Sequence, residues 1–109
     1  MNSRAKGKRG ELEFAKFLTA RGFVARRGQQ FSGGNESPDV ICESLHRFHI
    51  EVKRCEKGNL YDWLDQARRD AGEKQIPTVY HRRNDCRWVA IRDAEDDLLL
   101  VRNSSFLDQ

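Results

Sequence analysis

The chain has 109 residues, which suits one domain and leaves no room for a second full core. Hydrophobic residues make up 38% and charged residues 34%, and the apolar ones fall in ordered clusters, which excludes a disordered chain and points to a modest core under a solvated surface. The net charge is +3 but uneven: residues 1–92 hold 19 Lys/Arg against 12 Asp/Glu, and residues 93–109 hold one Arg against five acids, so a basic body with an acidic tail fits an anionic polymer as partner.

The opening residues MNSRAKGKRG are basic and lead into no apolar stretch of signal-peptide type. A helix is expected to start a little before Glu11 and to run to about Ala20, with Gly22 as its stop signal. At ~100° per residue, Ala15, Leu18 and Phe14 fall on the side of Glu11, and Leu12 and Phe17 flank them. Glu11 therefore sits inside the apolar stripe, where a carboxylate is expensive unless something compensates it, whereas Glu13 points away.

Residues 23–26 read as a first strand, followed by a polar, Gly-rich loop over 28–37. Residues 38–42 and 48–53 read as the second and third strands, joined by residues 43–47 as a hairpin connection without the usual Asn-Gly signal. By alternation, Val40 and Cys42 share one face, with Asp39 and Ile41 opposite; Ile50 and Val52 share a face, with Glu51 and Lys53 opposite. Residues 60–71 read as a second amphipathic helix, N-capped by Asn59. Its buried stripe is Leu60, Trp63, Leu64, Ala67 and Ala71, with Gln66 and Asp70 at one edge. Residues 77–81 and 87–91 read as two further strands, and the run 98–101 suits a short strand or a helix. This order predicts an α/β domain, with helices against a mixed sheet over residues 1–92 and an acidic extension of the same domain over 93–109. The three cysteines, Cys42, Cys55 and Cys86, are odd in number and lack CxxC spacing, so neither a disulfide framework nor a zinc site is indicated and a reducing cytoplasm is the default.

The chemistry-bearing pattern is Pro38-Asp39, eleven intervening residues, then Glu51-Val52-Lys53. If the second and third strands pair, Asp39 and Glu51 approach on one face and Lys53 follows on the same face. Two close carboxylates repel, and a divalent cation relieves that repulsion; carboxylate oxygens, waters and a backbone carbonyl, here that of Val52, are the donors Mg²⁺ prefers, with Mn²⁺ as a substitute. Such an ion polarises a phosphodiester and acidifies bound water, Lys53 helps to position or deprotonate the water, and Glu11 supplies a third carboxylate. The alternative is that these residues form a solvated strand face in a highly charged chain.

Together these motifs resemble the PD-(D/E)XK nuclease superfamily, and within it the archaeal-type Holliday-junction resolvases with their bacterial and phage relatives. GKRGELEF over residues 7–14, followed by RGFVAR over 21–26, is similar to the family's first helix and strand. FSGG over 31–34 resembles its mobile Ser/Gly loop; PDVI over 38–41 and IEVK over 50–53 match the two core motifs; DQA over 65–67 resembles its glutamine-bearing helix. The resemblance covers about residues 4–92. It implies a restriction-endonuclease-like mixed sheet flanked by helices, and a Mg²⁺-dependent endonuclease cutting branched DNA as a symmetric homodimer. Glu11, Asp39, Glu51 and Lys53 would be catalytic, and Gln66 would sit beside the active site. The loop over 33–37 and the short acidic C-terminus depart from the archaeal pattern, which leaves open flaps, single strands or linear duplex as substrates, or a non-catalytic nucleic-acid-binding module.

Around this centre, Lys8, Arg9, Arg26, Arg27, Arg54 and Lys57 are expected phosphate contacts with little sequence preference, alongside Arg4 and Lys6. The N-terminal cations equally suit a solvated terminus, and Ser32 suits either a substrate contact or a turn. Arg68 and Arg69 read as solvated, Trp63 and Trp88 as core or interface. His46, His49 and His81 lack metal-ligand spacing; His49 shares the face of Glu51, which suits a place in the cleft lining, with a surface or packing role as its default.

Overall fold

The computed structural model describes residues 3–28 and 38–108, with side chains from residue 6 onward. Arg4 as a phosphate contact, Ser32 and the FSGG segment therefore lie outside what is described. The chain is an α/β protein; its described residues form three α-helices, a two-stranded antiparallel sheet and a three-stranded mixed sheet. Among the described residues, no helix is long and apolar enough to cross a membrane.

Helix α1 (Ser3–Thr19) buries Glu11, Phe14, Ala15 and Leu18, the stripe that the 3.6-residue period marks out. It ends in a turn closed by Gly22 at φ +91°, a conformation that costs glycine little. Strand β1 (Ala25–Arg27) pairs antiparallel with β2 (Val40–Cys42), placing Ala25 opposite Cys42 and Arg27 opposite Val40. A short 3₁₀ turn, Glu43–Leu45, leads to β3 (Phe48–Arg54). Helix α2 (Leu60–Asp70) follows, then β4 (Ile76–Arg82), β5 (Val89–Ile91) and α3 (Ala94–Arg102). The acidic run Glu95, Asp96 and Asp97 occupies the first turn of α3, where the helix dipole favours negative charge, so the undecided run 98–101 is helical.

The expected hairpin of residues 38–42 with 48–53 does not form a ladder. β2 has β1 as its partner, while β3 pairs in parallel with β4, and β4 pairs antiparallel with β5. The physical reason lies in β3. His49, Ile50, Glu51 and Val52 are all buried, so both of its faces need cover. A parallel partner reached through a helical crossover provides that cover, because the crossover helix lies on the sheet face. The 3₁₀ turn is moreover not the tight primed turn of a two-residue hairpin.

Two clusters follow from the alternation. On one face Phe14, Ala15 and Leu18 pack on Val40, Ile50 and Val52, with Tyr80 and Trp88 against them. The Phe14 ring lies 4.3 Å from that of Tyr80 and 4.9 Å from that of Trp88, centroid to centroid. On the other face Leu64 and Ala67 of α2 pack on Val79, with Trp63 and Ile91 at the margin. The Asn59 side chain caps α2 by accepting from the N–H groups of Tyr61 and Asp62, and Leu60, in the first turn, is left exposed.

Candidate metal centre

Asp39 stands where the two sheets meet. Its N–H donates to the Ile50 carbonyl at 2.9 Å, its carbonyl accepts from Gly28 N–H at 2.8 Å, and its Oδ2 accepts from Val52 N–H at 2.8 Å. The carboxylate thus takes the place of a ladder acceptor beside β3. Gly28 is required for this approach, since a Cβ there would lie 2.1 Å from the Pro38 carbonyl oxygen. In a strand the N–H and C=O of one residue face the same edge, so the Val52 carbonyl also faces the Asp39 side.

Glu51 is 4% exposed and Asp39 is 7% exposed. Burial, and then the neighbouring charge of Glu51, push the Asp39 carboxyl up to about 8; the Glu51 carboxyl is within hydrogen-bonding reach, and Glu11 adds a smaller repulsion. The Val52 N–H opposes the shift without cancelling it. A buried acid pair of this kind either shares a proton or binds a cation.

The other expected residues fall around this pair. Lys53 Nζ reaches Gln66 Oε1 at 3.5 Å, so the glutamine of α2 faces the lysine on the Glu51 side of β3. Glu11 comes from α1 and is buried, but its Oε2 is held by Arg27 Nε at 2.5 Å, an ion pair that answers the cost of placing an acid in the apolar stripe. Arg27 is consequently half-buried and engaged rather than free for phosphate. Arg54 is likewise engaged: Nε donates to Glu13 at 2.9 Å, Nη1 to the Arg82 carbonyl and Nη2 to Asn84. Glu13 also pairs with Arg82, so it clamps α1 to β3 and β4. Lys8, Arg9, Arg26 and Lys57 are exposed. Arg68 is paired to Asp65 and Asp93 on the outer surface.

The sequence places His49 on the face of Glu51 but gives it no metal role. His49 is 1% exposed, and its Nε2 lies 2.8 Å from Glu51 Oε1. Donor atoms of His49, Glu51 and Asp70 lie within 4.8 Å of one another; among the described residues this is the compact set of three, and Glu11 is not part of it. The sequence signals were the two-residue offset of His49 from Glu51 and the shared helix edge of Gln66 and Asp70.

Comparison with family models, curated proteins and solved structures returns no match for this chain.

Proposed function

We propose that the chain is a divalent-metal-dependent endodeoxyribonuclease of the PD-(D/E)XK kind, with a restriction-endonuclease-like arrangement and branched DNA as substrate. One observation carries this reading: Asp39 and Glu51 are buried side by side, with Lys53 next along the same face of β3 as Glu51. The donor set fits Mg²⁺, because two hard carboxylates with mutual repulsion gain most from a hard dication. Asp39, Glu51 and the Val52 carbonyl would hold it, and Glu11 would join by exchanging Arg27 for the ion. When bound, the ion supplies charge stabilisation at a phosphodiester and acidifies bound water.

The protein's own groups do the rest. Lys53 holds the attacking water and offsets charge growing on the phosphate, and Gln66 orients the Lys53 ammonium. The exposed cations Lys8, Arg9, Arg26 and Lys57 bind the DNA backbone, so affinity falls with salt while discrimination between sequences stays small. Two cuts across a junction need two centres in fixed relation, which a symmetric dimer provides.

The test is cleavage of a synthetic four-way junction in competition with linear duplex, in Mg²⁺ and in EDTA. Cleavage of the junction in Mg²⁺ alone, lost in Glu51→Ala, is the expected result. Full activity in Glu51→Ala would overturn the assignment, and binding without cleavage in either Mg²⁺ or Mn²⁺ would leave a nucleic-acid-binding module.

A further inference from the structure

Beneath the crossover helix, β3 and α2 bring together a nitrogen donor and two carboxylates that the proposed chemistry does not use as a set. His49 and Glu51 project from the same face of β3, and Asp70 from the last turn of α2. Gln66 and Asp70 are four residues apart, hence on one side of the helix, and Gln66 already faces Lys53. The helix thus lays a polar row along the polar face of β3, with Gln66 over Lys53 and Asp70 over His49 and Glu51.

Charge makes this row unusual. Two carboxyls, Glu51 and Asp70, lie against one imidazole that is almost fully enclosed, and a third, Asp39, neighbours Glu51. A single imidazolium neutralises only one of them, whereas a dication at the imidazole and two carboxylates compensates the group. The geometry is close to what an ion needs. Ligand atoms on opposite sides of an ion at about 2.1–2.2 Å lie at most about 4.4 Å apart. The donor atoms here all lie within 4.8 Å of one another, so reaching that value takes movements of at most a few tenths of an ångström. Asp70 is half-buried, which leaves a side from which an ion and its waters enter.

We propose that His49, Glu51 and Asp70 form a binding site for a borderline transition-metal dication of the Zn²⁺ or Co²⁺ type, distinct from the Asp39 side of Glu51. The imidazole sets the preference: a nitrogen with two carboxylates suits these ions, whereas Mg²⁺ favours an all-oxygen shell. The inference rests on the donor set and not on the nuclease reading, although Glu51 belongs to both.

The test uses Co²⁺ as the probe, titrated into the full-length chain freed of metal and kept in excess Mg²⁺, with visible absorption as the readout. The wild type is expected to take up about one Co²⁺ with the spectrum of a nitrogen- and oxygen-ligated ion, displaced by Zn²⁺. His49→Gln is expected to abolish that spectrum, and Asp70→Asn to weaken binding roughly tenfold or more, as loss of one donor predicts. Asp39→Asn is expected to retain it. Because His49 is buried, folding of each variant is followed by circular dichroism, and Asp70→Asn, at the helix end, decides the matter if His49→Gln unfolds. Failure of the wild type to bind Co²⁺ in excess Mg²⁺, or binding unchanged by Asp70→Asn, would overturn the proposal, as would binding lost in Asp39→Asn alone. Absence of DNA cleavage would count against the nuclease reading and leave this site standing.

Discussion

Asp39→Asn offers a direct reading of the electrostatics at the sheet junction. In the folded chain the Asp39 carboxyl keeps its proton up to about pH 8, against 3.8 for the unreacted side chain, because burial and the Glu51 charge both disfavour the anion. The unfolded chain releases that proton near pH 3.8, so between these values the native state binds the extra proton. The stability linked to Asp39 is therefore full below about pH 4 and is lost as pH rises to about 8. At about 1.4 kcal/mol per pH unit for one proton, the whole window amounts to a ceiling of about 6 kcal/mol, comparable with the total stability of a small domain. An asparagine cannot ionise, yet it retains an acceptor for the Val52 N–H. Urea denaturation in EDTA from pH 5 to pH 9 measures the effect. The wild type is expected to lose stability steadily with rising pH, and the variant to lose much less and to be the more stable of the two at pH 9. Parallel stability–pH curves for the two proteins would refute the reasoning.

Phe14→Ala removes the ring at the centre of the Phe17, Tyr80 and Trp88 cluster and is expected to cost about 3–5 kcal/mol, read as a lower urea midpoint at unchanged slope. Gly28→Ala drives a methyl group into the Pro38 carbonyl oxygen, so it is expected to lower the thermal midpoint and to weaken divalent-ion binding by displacing Asp39; a variant with unchanged midpoint and binding would contradict the close approach.

Much of the fold was legible in the chain. The 3.6-residue stripe of α1, with Gly22 after it, and the Asn59 cap of α2 are local features, and the structure has them in place. The two-residue alternation put Glu51 and Lys53 on one face of β3 and Ile50 and Val52 on the other, and the observed register keeps that division. Alternation says which face a side chain takes, however, and not which strand lies alongside. The pairing of β3 with β4 through α2, in place of a hairpin with β2, follows from the need to cover β3 on both faces, which appears only when all the elements are assembled.

Local pattern alone thus determined the type of every main element before the 98–101 run, most of the buried faces apart from Leu60, and the grouping of Asp39, Glu51 and Lys53 in two short motifs, because propensity and periodicity act over a few residues. Tertiary structure decided who meets whom: Asp39 on the Val52 N–H, Glu11 on Arg27, Arg54 and Arg82 on Glu13, and Asp70 beside His49. These are contacts between segments distant in sequence, and their energies depend on burial and charge that no stretch of the chain carries by itself.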